Sequence, residues 1–344
     1  MRSDCLTHVL VTYLIFALPH LQSILGQTCA SIKRRQEWRT LSRADQISYI
    51  DAVKCLMSNP SQLMPLSGLN RVDDFQYVHS TLQDSVHFVA HFLVWHRHFI
   101  YLYEEALSHC GYTGALPRWD WTLDAANVTA APVWSSDREV GFGTNGTGPS
   151  TASSNTGLDG GAVVDGAFAR LQLNLPFRHL LQRNWNPFLE ISSGGSIFAS
   201  QYFDQRAIRN IQSLTTYHQF AVAVEGQDPD VFENAQPGPH STIHALIGGD
   251  FPSSSTAVND ELTNMDHQYS LFFLHHANID WLWWKWQQAD RSNRLFEYGG
   301  NRRRRSSRQD ATLSDRIEFL GLSRNPTISS VMDISTFPHC YTYV

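Results

Sequence analysis

"HFVAHFLVWHRHF", residues 87–99, places four histidines within thirteen residues, interleaved with Phe88, Phe92, Trp95 and Phe99. How this stretch folds decides what its imidazoles can reach. On one straight helix through residues 87–98, His87, His91 and His98 share a face and His96 points away. A break before Trp95 selects a different set, and composition does not decide between the two.

Outward from it, one helical stretch runs from about Phe75 to Phe92 and the next from about Trp95 to Leu107, ending near Cys110 and Gly111. Residues 31–57 read as an amphipathic helix, with Ile47, Ile50, Val53 and Met57 at helical spacing. Helical patterns return around 165–183, from about Tyr202 to Glu225 and from Ser270 to Ala289. Residues 141–162, rich in Gly, Ser, Thr and Asn, lack periodicity and predict a long surface loop. Strand signals are few and short. The fold class is mainly α, with long loops. The run "NRRRRSSR", residues 301–308, reads as a solvated loop, with a processing-protease site as the other reading.

Of the sixteen histidines, two groups stand about 150 residues apart: His79, His87, His91, His96 and His98, then His240, His244, His275 and His276. Buried imidazoles without partners cost free energy, and a metal ion removes that cost. His240 and His244, four apart, lie roughly 40° from each other on a helix, so one metal can take both. Zinc hydrolases with this spacing carry a glutamate directly after the first histidine. Here that position is Ser241, which argues against hydrolysis. His275 and His276 are about 100° apart on a helix, so one of them faces the same metal. The choice falls on His276, because Asp280 follows it by four and is placed to accept its second ring N–H.

The 344 residues carry a formal charge of −6 and are 42% hydrophobic. That suits one sizeable core and leaves no electrostatic footprint for nucleic acid or an anionic membrane. Arg2, the apolar run Val9–Leu18 and then Pro19 read as a signal peptide over about residues 1–26, followed by one domain over 27–344. A membrane anchor needs roughly 20 uninterrupted apolar residues, and Pro19 and His20 interrupt this run. Removal of the signal leaves Cys29, Cys55, Cys110 and Cys340, enough for two disulfides in three possible pairings. Asn127-Val-Thr and Asn145-Gly-Thr match the glycosylation sequon. All of this fits a secreted protein.

His79, the pair His87 and His96, "WHR" at 95–97, "RWDW" at 118–121, HxxxH at 240–244 and "FFLHHANID" at 272–280 together resemble the tyrosinase and catechol oxidase family of type 3 copper proteins. The likeness is strongest to its short secreted fungal members and runs from about Cys29 to Tyr343. It implies a four-helix bundle holding two copper ions. The first copper would take His79, His87 and His96, and the second His240, His244 and His276. It also implies that a helix ends before "WHR", leaving His91 and His98 outside the metal sphere. The final "YTY", residues 341–343, resembles the family's tyrosine motif, which closes the domain against an N-terminal arginine, here Arg34 or Arg35, with no covering C-terminal domain. The closeness of the termini so implied favours Cys29 with Cys340 and Cys55 with Cys110.

Three positions depart from the family pattern. "NMDHQYSLFF" at 264–273 replaces the usual Asp-Pro before the aromatic run, Ser241 stands where some relatives have asparagine, and Ser85 excludes a Cys-His thioether. Glu225 and Glu233 are candidates for the glutamate that assists monophenol hydroxylation, and one of Phe272 and Phe273 is expected against the imidazoles of the second copper. All-imidazole sites suit copper in both oxidation states. The resemblance therefore implies an oxidase that takes o-diphenols, and with the right base monophenols, to o-quinones using dioxygen and a small phenolic substrate. A dicopper oxygen-binding protein and a catalytically impaired relative are the alternatives.

Overall fold

The computed structural model describes residues 28–147, 161–190, 196–249 and 271–344. The signal segment, residues 148–160 of the expected loop and the altered stretch 264–270 lie outside the described residues.

Strand β1 is Lys33–Arg35, and helix α1 spans Arg43–Ser58, starting where Ser42 Oγ accepts the Asp45 N–H. The helix expected over 31–57 thus loses its first twelve residues. The reason is non-local: β1 pairs in parallel with the last strand, three hundred residues away, in register Arg35 to Tyr343. Helix α2, Arg71–Thr81, opens on a capping box in which Asn70 and Asp73 satisfy each other's backbone donors, an arrangement that contributes about 1 kcal/mol. After it come the short α3, Gln83–Val86, and the long α4, Phe92–His109.

Residues 161–183 hold no helix. They form β2 (Gly161–Ala162), β3 (Gln172–Leu173), β4 (His179–Leu180) and β5 (Gln182–Arg183), in short antiparallel pairs β2–β5 and β3–β4. Pro176 breaks a helix interior, and Leu173 and Leu181 are buried from separate short extended segments. A further pair, β6 (Phe188–Glu190) and β7 (Ser196–Phe198), leads to α5 (Gln205–Gln212) and α6 (Tyr217–Glu225). The stretch read as continuous helix from Tyr202 is therefore two helices. Asp204 and Thr216 divide it, each capping the helix that follows. Helix α7 is Pro239–Ile247, α8 is Phe272–Ala289, α9 is Arg291–Arg294, and β8 is Tyr341–Tyr343.

Helices α2, α4, α7 and α8 make the bundle. Phe75 of α2 meets Phe99 and Tyr103 of α4 and Phe273 of α8 at ring separations of 5.4–5.9 Å, and Tyr103 stacks on Phe273. The ends are closed covalently and ionically. Disulfides join Cys29 to Cys340 and Cys55 to Cys110, the pairing that the resemblance favours. Arg35 is the arginine of the tyrosine motif: its guanidinium lies 3.5 Å from the centre of the Tyr341 ring and donates to Glu104 and to the Tyr343 hydroxyl. No helix among the described residues is long and apolar enough to cross a membrane.

Candidate metal centre

The opening stretch does not continue as one straight helix; a helix ends before Trp95, as the resemblance implies, but some residues earlier than the spacing suggests. The break falls at residues 87–91, and α4 begins at Phe92, three residues before Trp95. Phe88 sits in the left-handed region at φ +55°, uncommon for a bulky residue, and so no local signal in the sequence announces it. The turn brings His87 to His96: their ring centroids are 4.9 Å apart, and His79 from α2 lies 5.0 Å from His87. His91 turns away to Tyr298, whose hydroxyl is 2.5 Å from its Nδ1, and His98 pairs with His339 at 3.1 Å.

Two buried groups of histidine result. His79, His87 and His96 form one, and His240, His244, His275 and His276 the other; within each, one nitrogen of every ring lies within 4.8 Å of those of the others. The groups abut, with the His96 and His276 rings parallel at 4.4 Å. Backbone carbonyls orient the first group. His87 Nδ1 is 3.1 Å from Gln83 O, and His96 Nδ1 is 2.8 Å from Phe92 O, which places the N–H on Nδ1 and turns Nε2 into the site.

Several observations fit metal binding. The Nε2 atoms of His79 and His96 are 3.3 Å apart, and those of His240 and His244 are 3.0 Å apart. Two ligands at about 2.0 Å on a tetrahedral centre are separated by roughly 3.3 Å. Both ring nitrogens of His276 are buried without a hydrogen-bond partner among the described residues. Burial first, and then neighbouring imidazoles, hold His96, His240 and His276 well below the usual histidine range, so these rings are neutral at physiological pH and present lone pairs.

The second group contains one more histidine than a three-ligand site needs, and a hydrogen bond separates the neighbours. Trp121 Nε1 donates to His275 Nδ1 at 3.2 Å. A neutral imidazole has a single lone-pair nitrogen, so this bond leaves the proton of His275 on Nε2 and takes its lone pair out of metal binding. Trp121 is fully buried and stands in the quoted "RWDW", but nothing in that motif signals its partner. Phe92 is another residue that the periodicity hid, its ring 4.7 Å from His240 and 5.0 Å from His96.

Three expected neighbours lie elsewhere. Asp280 does not support His276. It accepts from Arg97 Nε at 2.5 Å and from the Tyr341 and Tyr343 hydroxyls at 2.6 Å each, because one turn of helix carries it past the metal layer into the ionic cluster of Arg35. Phe273 packs on Tyr103, and Phe272 is the residue against the imidazoles, 4.1 Å from His276 and 4.9 Å from His79. Glu233 is exposed on the turn after α6. Glu225 is buried, and its Oε1 accepts the Phe88 N–H at 2.7 Å. Ser241 Oγ is engaged with the Gly238 backbone at the start of α7. Arg118 ties "RWDW" to α8 through Asn278 Oδ1 at 2.9 Å.

A family model described as the common central domain of tyrosinase matches residues 69–289, a span that holds both histidine groups. The chain belongs to the tyrosinase family. It is 36% identical over 327 residues to "Tyrosinase-like protein phomQ1" of Diaporthe leptostromiformis, covering 92% of this chain and 79% of that one. It is 34% identical over 348 residues to "Tyrosinase ustQ" of Aspergillus flavus, covering 98% and 88%. Among solved structures, a polyphenol oxidase from Thermothelomyces thermophila superposes with a TM-score of 0.73 at 28% identity, covering 91% of this tyrosinase-family chain and 89% of the other. The family uses a dicopper centre with dioxygen and phenols, and this member has two histidine groups able to hold the metals.

Proposed function

We propose that this chain is a secreted dicopper oxidase that converts o-diphenols to o-quinones with dioxygen. In this reading residues 1–26 are its signal peptide and 27–344 its single domain. His79, His87 and His96 hold the first copper, and His240, His244 and His276 the second. The observation that carries the reading is the abutment of two buried imidazole groups across the parallel His96 and His276 rings. Both disulfides agree with an oxidising compartment.

When bound, the copper pair supplies the redox chemistry, passing electrons from the diphenol to dioxygen; two diphenols and one dioxygen balance as two quinones and two waters. The chain's own residues hold and shield. The Gln83 and Phe92 carbonyls fix the tautomers of His87 and His96. Phe92, Trp95 and Phe272 surround the imidazoles with apolar surface that excludes water.

Hydroxylation of monophenols asks for a base to deprotonate the incoming phenol. Glu233 is exposed, the Glu225 carboxylate is bonded to the Phe88 backbone, and the Ser241 hydroxyl caps α7. The activity proposed is therefore diphenol oxidation with little monophenol hydroxylation. Oxygen uptake by the copper-loaded protein, given a simple catechol and the matching monophenol in parallel, tests this. Uptake with catechol alone is expected. Equal initial rates with both would refute the restriction, and no uptake with either would refute the oxidase.

A further inference from the structure

The arginine run at 302–305 is a solvated loop at every arginine but one. Arg304 is only 10% exposed at its side chain, although its neighbours Arg303 and Arg305 are exposed. Its guanidinium makes a fork on Asp228, Nε to Oδ2 and Nη2 to Oδ1, both at 2.9 Å. It also donates to Asp230 Oδ2 and to Asp84 Oδ1, each at 2.7 Å. The same group lies 4.9 Å from the centre of the Phe88 ring. Asp84 belongs to α3, three residues before His87, while Asp228 and Asp230 lie on the turn between α6 and α7. One side chain thus connects the turn that carries His87 to the segment that leads into His240.

The rest of this segment grips the same turn through its backbone. Asn301 Nδ2 donates to Phe88 O at 2.8 Å, and Ala90 N–H donates to Asn301 O at 2.9 Å. Gly300, at φ +132°, comes so close that a Cβ there would stand 3.1 Å from the Cβ of Ala90. From the other side, Glu225 takes the Phe88 N–H and the Tyr217 hydroxyl donates to Ala90 O at 2.7 Å. Every one of these contacts falls on residues 88–90. A left-handed phenylalanine is unfavourable by itself, and it persists here because the surroundings over-determine it.

We infer that Arg304 and Asn301 are positioning residues for the first copper: they mould the 88–90 turn and thereby hold His87 against His79 and His96. The inference rests on the reading that His87 is a copper ligand. Arginine suits the role because its planar fork can bind a carboxylate through two bonds while its face covers an aromatic ring. Lysine lacks the planar fork. Removing the clamp leaves the imidazole in place chemically and frees the backbone that aims it.

The test uses the full secreted chain as Arg304→Ala and Asn301→Ala, with Arg303→Ala as the control, since the Arg303 side chain has no ion pair among the described residues. Amide hydrogen exchange of residues 86–92 is followed in the copper-free protein, and copper release to excess EDTA in the loaded one. Expected are exchange faster by about 10-fold or more in that segment alone, and one of two coppers released about 10- to 100-fold faster, the range for lost support of a metal ligand. The control should match the wild type in both. Unchanged exchange in Arg304→Ala and Asn301→Ala overturns the inference, and so does acceleration spread evenly over the chain, which marks a purely global effect. If Arg304→Ala fails to fold, Asn301→Ala, which removes the bonds to Phe88 O and Arg303 O and keeps the backbone bond to Ala90, decides by the same criteria. A wild type that binds no copper would refute the dicopper reading, while the exchange data still decide whether the turn is moulded.

Discussion

His275 and His276 are adjacent, equally buried, and within reach of the same metal, so exchanging one or the other for alanine asks which donates. For His275 to bind through Nε2, its proton must move to Nδ1, where it would face the indole N–H of Trp121 at 3.2 Å. That change loses one hydrogen bond and sets two buried donors against each other. At about 1–3 kcal/mol for each unsatisfied group, the penalty is about 2–6 kcal/mol. With 1.4 kcal/mol per tenfold, His276 is preferred roughly 30-fold at least. The assay is copper per chain by mass spectrometry after dialysis, with circular dichroism to verify folding. Wild type and His275→Ala are expected to hold two coppers and His276→Ala one. Trp121→Phe should keep both while costing about 1–3 kcal/mol of stability, because His275 Nδ1 loses its donor. One copper in His275→Ala with two in His276→Ala would refute the tautomer argument, and so would equal loss in both.

His96→Ala should remove the first copper and His98→Ala should not, since His98 faces His339 and Phe319 rather than the imidazole group; copper counting distinguishes the two. Asp280→Asn should lower the unfolding free energy of the copper-free protein by about 3–5 kcal/mol in urea titration, because Arg97, fully buried, loses its only carboxylate partner among the described residues. A loss under 1 kcal/mol would contradict that. Cys55→Ser with Cys110→Ser opens a loop with a sequence separation of 55 and should cost about 4 kcal/mol by the chain-entropy relation, read in the same titration. Copper at about 100 times its dissociation constant should raise stability by about 2.7 kcal/mol per site, and stripping the metal with EDTA should reverse the rise in melting temperature.

Much of this protein could be read from its residues in order. The HxxxH spacing placed His240 and His244 on one helical face, where their Nε2 atoms stand 3.0 Å apart, because i and i+4 are neighbours on any helix. The long α4 and α8 followed from hydrophobic spacing within a few residues of their bounds. What failed was whatever depended on a partner distant in the chain. Lys33–Arg35 left the expected helix because Tyr341–Tyr343 offered a strand. Asp280 missed His276 because Arg97, Tyr341 and Tyr343 took its oxygens.

The opening stretch shows the division most sharply. Its composition determined that imidazoles would gather there, and a straight helix would have grouped His87 with His91 and His98. Only the tertiary structure decided for His87 and His96. Phe88 has no intrinsic reason to take φ +55°; Glu225, Asn301 and Arg304, brought from 137 or more residues away, stabilise that turn. Their contacts exist only once the chain has folded around it.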